Sequence, residues 1–228
     1  MSVSVDTVYQ RVLAILNKEQ RGYVTPQEFN LFANQAQLDI FEQYFYDINQ
    51  FGRLHGNDTE YSDMLNILNE KINLFEVTAA MTYAVGYWSA PNNLYRIGTV
   101  IYGGKEVERI NNNEFLYINA SPLTKPSNAR PVFIASANGY KVYGDSELTT
   151  GVTCNYIKKP ATVSWAYTTV LGEAQYNASN STDFELHPSE ETELVIKILE
   201  LAGISTKELQ VYQIAAQEEA KNTQQEKS

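Results

Sequence analysis

Residues 25–50 read TPQEFNLFANQAQLDIFEQYFYDINQ, and this stretch decides how the rest of the chain is interpreted. It opens with a helix start signal. Thr25 can accept from a free N–H of the first turn, and Pro26 suits the first helical position because its missing N–H is not needed there. Glu28 follows the cap by three residues and can reach back to the N–H of Thr25. The stretch therefore predicts a helix that begins at Thr25 and runs to about Gln50.

The apolar residues of this helix fall on two stripes. The first stripe consists of Phe29, Phe32, Ala33, Ala36 and Ile40, and the second of Leu38, Phe41, Phe45 and Ile48. A helix on a protein surface needs only one apolar stripe. Either this helix is central to its own bundle, or its second stripe contacts other subunits, and both interpretations stay open. The second interpretation assigns subunit contacts to Phe32, Leu38, Phe41, Phe45 and Tyr212.

Further apolar rows with helical spacing lie on both sides of this helix. The N-terminal row is Val5, Val8, Val12 and Leu16, and the row after it is Tyr61, Met64, Leu65, Leu68 and Ile72. Near the C-terminus, an apolar row that starts at Leu194 ends at Gly203. Ser205-Thr206-Lys207-Glu208 then forms a second capping box, which predicts one more helix. The tail from Gln217 is polar, and we expect it to fray on its own.

Between the helical regions the sequence has the character of β-strands. Residues 94–102 are rich in β-branched and aromatic side chains, and Gly103-Gly104 then predicts a tight hairpin turn. Asn138-Gly139 predicts a second hairpin between residues 132–135 and 140–143. Residues 111–119 predict a short helix, and residues 152–157 a further strand.

These patterns predict an α+β fold in which N-terminal and C-terminal helices form a shared helical bundle and a central antiparallel β domain is inserted between them. We assign residues 1–74 and 186–228 to the bundle and its extended C-terminal tail. Residues 75–185 form the β-rich insertion. The 228-residue chain is long enough for this arrangement of two small domains with one shared core.

Charge and composition limit the classes of function. The formal net charge is −10, with 27 acidic against 17 basic residues, so we do not expect the subunit to bind DNA tightly. An acidic surface can still surround DNA without holding it, because like charges repel. The 16 tyrosines suit contact surfaces, although half-buried strands use tyrosine as readily. Neither a signal peptide nor a membrane span is evident, which predicts synthesis in the cytoplasm.

No residue pattern carries a catalytic signature. His55 and His187 are far apart in sequence and far from Cys154, the only cysteine, so solvated loop histidines and a buried thiol are the favoured interpretation. Asp145 and Glu147 could form a glycosidase-type pair, but a solvated turn is favoured because nothing else catalytic accompanies them. We predict no enzyme activity, no cofactor and no metal.

The order of turns and strands resembles a known class of virion proteins. The resemblance rests on Pro91-Asn92-Asn93-Leu94-Tyr95-Arg96-Ile97, the Gly103-Gly104 turn, the strand at Pro131-Val132-Phe133 and the segment Tyr156-Ile157-Lys158-Lys159-Pro160. Asp183-Phe184-Glu185-Leu186 and two helices divided at Ala202-Gly203-Ile204 complete it. Nearly the whole chain is similar to head-to-tail connector proteins of short-tailed bacteriophages. Residues 19–30 resemble ring or adaptor proteins of crAss-like phages in particular.

The resemblance implies a structural protein of the virion, assembled in the host cytoplasm. Such proteins form closed homo-oligomeric rings, commonly with twelve-fold symmetry matching the portal, and sit between portal and tail. DNA only passes through their axial channel, and no membrane is involved. Two alternatives stay open: a tail-associated module that binds carbohydrate or a receptor through its Tyr- and Asn-rich strands, and a hydrolase built on acidic residues.

Overall fold

The computed structural model describes residues 2–18, 24–51, 59–205, 217 and 221. The helices are α1 (Val5–Lys18), α2 (Pro26–Phe51), α3 (Thr59–Asn73), α4 (Asn112–Ala120) and α5 (Glu191–Ser205). The strands are β1 (Glu76–Ala80), β2 (Thr82–Ala84), β3 (Tyr87–Ser89), β4 (Leu94–Tyr102), β5 (Lys105–Ile110), β6 (Val132–Ser136), β7 (Gly139–Tyr143), β8 (Val152–Lys158), β9 (Tyr167–Val170) and β10 (Glu173–Tyr176).

The α+β class predicted from the sequence is confirmed. The described residues form five α-helices and a large mixed sheet. Helix α5 contacts α1 and α2, and α2 contacts α3. The shared helical bundle stays a prediction. His55, Tyr212 and residues 206–208 of the C-terminal capping box lie outside the described residues, and Ser205 of that box is the last residue of α5.

The chain divides into two compact units. Unit 1 comprises residues 1–74 and 160–228, and unit 2 comprises Phe75–Lys159. Unit 2 is thus one continuous insertion, and its first and last strands are neighbours, with Glu76 paired to Ile157. The predicted boundary at residue 185 is wrong, because residues 160–185 cluster with the helices of unit 1.

The reason for this correction is a set of hydrogen bonds from α2 to the backbone of the returning segment. Asn34 donates from Nδ2 to the carbonyl of Val163 (2.8 Å) and accepts from the Val163 N–H (2.8 Å). Asn30 makes the same pair of bonds with Trp165, at 3.3 and 2.7 Å. Each carboxamide therefore acts as the peptide group of a neighbouring strand would. Four residues of helix rise about 6 Å and two residues of strand rise nearly 7 Å, so the two spacings match.

A third side chain extends this contact by one helical turn. Gln37 donates to the carbonyl of Ala161 (2.8 Å) and accepts from the Glu185 N–H (3.1 Å), and its side chain is only 1% exposed. We call Asn30, Asn34 and Gln37 the amide ladder. On its other side the returning segment is bridged to residue 182, since Ser164 and Thr182 exchange backbone hydrogen bonds of 3.2 and 2.8 Å.

The N-terminal residues make a second set of contacts within unit 1. Val3 and Phe184 exchange backbone hydrogen bonds of 3.3 and 3.1 Å, and Asp183 accepts from the N–H of Val5 at 2.9 Å. The indole Nε1 of Trp165 donates to Asp6 at 2.9 Å. The core beneath these contacts is formed by fully buried apolar side chains: Val5, Val8, Val12, Phe29, Ala33, Ala36, Ile40, Phe41, Phe184, Leu186, Leu194 and Ile198.

Unit 2 is built on an eight-stranded sheet in the order β1-β8-β4-β5-β6-β7-β3-β2. The predicted antiparallel domain needs one correction, because β5 and β6 are parallel. Parallel neighbours require a crossover connection, and α4 with the loop after it provides that connection here. The Gly103-Gly104 hairpin is confirmed, with Tyr102 paired to Lys105.

The second predicted hairpin is present, but Gly139 lies in the strand after the turn and not in the turn itself. The turn residues are Ala137 and Asn138, and Gly139 is the first residue of β7, paired with Ser136. A Cβ on Gly139 would lie 2.6 Å from the carbonyl oxygen of Trp88 on β3. The glycine therefore allows the close approach of β3 to β7.

We expect Asn34→Ala to destabilise unit 1. Removing the carboxamide leaves the partly buried N–H and C=O of Val163 without their partners, which costs about 1–3 kcal/mol. Urea unfolding followed by Trp165 fluorescence measures the loss. Gln35→Ala is the matched control, since Gln35 is exposed and donates to Asp39 on the helix surface, and it should change stability by less than about 0.5 kcal/mol. Equal stabilities of the two variants would contradict the assigned role of Asn34.

The capping box at the start of α2 is confirmed and predicts a pH dependence. Glu28 accepts from the N–H (2.9 Å) and the hydroxyl (2.8 Å) of Thr25, which lowers the pKa of its carboxyl below the ordinary value. A lowered folded-state pKa means that this stabilisation is present above the unfolded-state pKa and is lost as pH falls through the folded-state pKa. The melting temperature of Glu28→Gln should therefore lie below that of the wild type at pH 7, and the difference should shrink on acidification towards pH 3. A melting-temperature difference that stays constant between pH 7 and pH 3 would contradict this role of the Glu28 carboxylate.

Candidate interaction surfaces

The α2 residues predicted from the sequence to contact other subunits are not on an open surface. Phe41 is 0% exposed and packs edge-on against Phe45, with ring centroids 5.1 Å apart, so it belongs to the core of unit 1. Phe32, Leu38 and Phe45 are half-buried. The role of these residues in subunit contacts stays a prediction.

The exposed apolar side chains of α2 are instead Leu31 and Tyr46, which are 71% and 64% exposed. Neither falls on the two stripes seen in the sequence. The sequence contained a weak indication of this exposure, because both are large apolar residues outside the core-facing rows. Single exposed apolar residues are common, however, so they do not by themselves indicate an interface.

A groove with apolar walls lies between α1 and α5. Its volume is about 360 Å³, and it is open to solvent on one side. It is lined by Arg11, Ala14, Ile15, Thr192, Val195, Ile196 and Leu199. Arg11 forms an ion pair with Glu191 at 2.9 Å, and its side chain stays about half exposed. Ile15 lies off the buried row of α1 and is 44% exposed, so the groove offers apolar surface that the described residues leave uncovered.

Two hairpins carry large apolar residues at backbone positions that favour glycine. The β2–β3 turn is Val85-Gly86 (φ 54° and 80°), and the β9–β10 turn is Leu171-Gly172 (φ 55° and 88°). Positive φ at both central residues is the type I′ geometry, which usually selects Asn-Gly or Gly-Gly. A left-handed conformation costs an ordinary L-residue about 1–2 kcal/mol.

Exposure makes these two residues still more unusual. Val85 is 96% exposed and Leu171 101% exposed, so the described part of the chain covers neither side chain. In the Gly103-Gly104 turn φ is also positive at both residues, and there glycine adopts this conformation without strain. The hairpin tips of Val85 and Leu171 therefore combine backbone strain with solvent-exposed apolar surface. Neither property stabilises the fold of the isolated chain.

A fourth apolar surface surrounds α4 in unit 2. One side of the helix packs on the sheet, where Phe115 stacks on Tyr143 with centroids 4.3 Å apart. The other side and the following loop expose Leu116 (70%), Tyr117 (79%) and Leu123 (95%). We call these three residues the α4 patch.

Among the residues considered as catalytic candidates, His187 and Glu147 have side-chain hydrogen-bond partners. His187 contacts Ser189 through Nδ1, which caps a short 3-10 helix. Glu147 accepts a long hydrogen bond from Tyr83 (3.4 Å), and the N–H of Asp145 donates to Asn128. Cys154 is buried, and this burial raises the pKa of its thiol.

Three charged residues of the described part of the chain are buried, namely Asp47, Glu190 and Lys197, and the sequence indicated none of them. Glu190 is 3% exposed, and its carboxylate lies 2.6 Å from the ammonium of Lys71. Nothing in the sequence around Glu190 indicates a partner in α3. The pair joins the end of α3 to the turn before α5, which is a structural task. Within the ranges that the structure describes, no three His, Cys, Asp or Glu residues come together as metal ligands would.

None of the described helices has the length and apolar character that crossing a bilayer requires. No protein-family model matches the chain, and no curated protein is similar enough to count as a relative.

We expect Val85→Asn to stabilise unit 2. Asparagine adopts the left-handed conformation at lower cost than a β-branched residue, so the gain should approach about 1 kcal/mol. Trp88, which pairs with Tyr83 beside this turn, reports unfolding by its fluorescence. Leu123→Asn is the matched control, because Leu123 is equally exposed but has an ordinary φ. A gain of the same size in the control would show that strain at Val85 is not the cause.

Proposed function

We propose that this chain is a structural subunit of a bacteriophage virion, which assembles into a closed ring of identical copies in the head-to-tail connector. The observation that carries the proposal is the pair of strained hairpin tips. An apolar residue that is fully exposed and conformationally unfavourable lowers the stability of a lone chain, so its presence is best explained by a partner surface that covers it.

The variety of apolar surfaces supports a ring in particular. A head-to-tail ring needs two different surfaces on each subunit, one to meet each neighbour. Unit 1 alone carries two such surfaces, the α1–α5 groove and the Leu171 tip. Unit 2 carries the α4 patch and the Val85 tip, which suit contacts with other proteins of the connector, such as the portal or the tail.

The net charge of −10 is compatible with DNA passing through such a ring. A channel that repels phosphate lets DNA slide, whereas a basic one would hold it. In this proposal DNA is a transient occupant of the channel, and the lasting partners are proteins.

A second candidate is a tail-associated module that binds carbohydrate. The observation that favours it is the exposed ring of Tyr117, which could stack on a sugar. The full chain applied to a glycan array tests this candidate: binding that Tyr117→Ala abolishes would support it, and uniform absence of binding would remove it.

The ring proposal is tested by mass measurement on the protein and on virions. We expect the chain among the structural proteins of purified particles, at a copy number equal to that of the portal or in fixed ratio to it. Native mass spectrometry of the purified chain should show oligomers at high concentration. A ring that closes only on the portal would give monomers in solution but the same copy number in particles. Absence from particles would contradict the proposal.

A further inference from the structure

The β9–β10 hairpin stands out from unit 1 as an arm, which we define as residues 167–176. It is a separate two-stranded sheet, and seven of its eight strand residues are exposed. At its base, Tyr167 and Tyr176 stack on Trp165 with centroids 5.9 and 5.7 Å apart. An isolated two-stranded ribbon is marginally stable in water, so this arm gains stability from any surface that it docks on.

The tip of the arm is apolar. Leu171 is fully exposed and Val170 is 43% exposed, while Glu173 places a carboxylate two residues beyond the leucine. The turn would be less strained with glycine or asparagine in place of Leu171. The leucine side chain therefore explains why the strained residue is present. It is fully exposed, and no described residue of its own chain covers it, so we infer that it acts on a partner.

The α1–α5 groove has the properties that such a tip requires. Its volume of about 360 Å³ is large enough to receive a leucine side chain. Its walls are apolar at Ile15, Val195 and Leu199. The guanidinium of Arg11 lies at the groove and is half exposed. It already pairs with Glu191, and its exposed side can also meet the carboxylate of Glu173 when the leucine is seated.

We propose that the Leu171 tip of one copy inserts into the α1–α5 groove of the next copy. The contact joins two different surfaces of unit 1, so repetition produces a ring or a filament rather than a two-fold dimer. This proposal names the contact between subunits in the proposed ring. Closure into a ring rests on the proposed function, whereas insertion of the tip into the groove does not. Both surfaces belong to unit 1, so the proposal requires nothing of unit 2.

Complementary variants test the direction of the contact. Leu171→Asn removes the tip and relieves the strain, so the chain should be at least as stable as the wild type but self-associate at least about tenfold more weakly. Ala14→Trp fills the groove from an exposed helix position and should weaken association to the same degree. Mixed together, the two variants should form a 1:1 dimer and nothing larger, since one intact tip and one intact groove remain. Val85→Asn is the matched control and should associate as the wild type does.

Disulfide trapping extends the test to a weakly associating chain. A chain with Leu171→Cys mixed with a chain carrying Ala14→Cys should give a cross-linked dimer under mild oxidation, whereas Val85→Cys mixed with Ala14→Cys should give at least about tenfold less. Cys154 stays in place because it is buried. No enrichment of the 171–14 product would overturn the inserted tip, as would unchanged association of Leu171→Asn. Virions that contain the ring protein but tolerate Leu171→Asn would leave the proposed function standing and remove this contact alone.

Discussion

The structure depends on the match between one row of a helix and one strand-like segment. Asn30, Asn34 and Gln37 present carboxamides at intervals that fit every second residue of the chain between Ala161 and Trp165. The backbone in that segment has a bridge only to residue 182 on its other side. Without the amide ladder the partly buried peptide groups of Val163 and Trp165 would lose these partners, which a folded chain tolerates poorly. The ladder therefore fixes where the chain goes when it returns from unit 2.

This constraint explains how the interaction surfaces of unit 1 arise. Once residues 161–165 are held on α2, Trp165 is set against Tyr9 and Asp6 of α1, and the arm begins directly after it. The returning chain then reaches α5, which forms the groove with α1. The same segment thus leads first to the tip that we propose as the inserted group and then to the wall of the groove that receives it. A single defect in the ladder would disturb both.

Features whose signals lie in neighbouring residues could be predicted from the sequence. The capping box at Thr25 and the Gly103-Gly104 hairpin are set by neighbouring residues and were predicted correctly. The amide ladder was missed because Asn30 and Asn34 look like ordinary polar residues on a helix, and their partners lie 129 or more residues away. The turns at Val85 and Leu171 were missed because they lack the residues that normally mark a hairpin. Phe41 was assigned to a subunit contact because an apolar stripe does not reveal which element covers it.

The most direct measurement of this account is amide hydrogen exchange at Val163 and Trp165. Neither residue belongs to a named helix or strand, yet both N–H groups donate to ladder side chains, at 2.8 and 2.7 Å. We predict protection comparable to that of amides in the middle of α2, and its loss at Val163 when Asn34 is replaced by alanine. Exchange at the rate of an exposed loop in the wild type would contradict the central role given to the ladder.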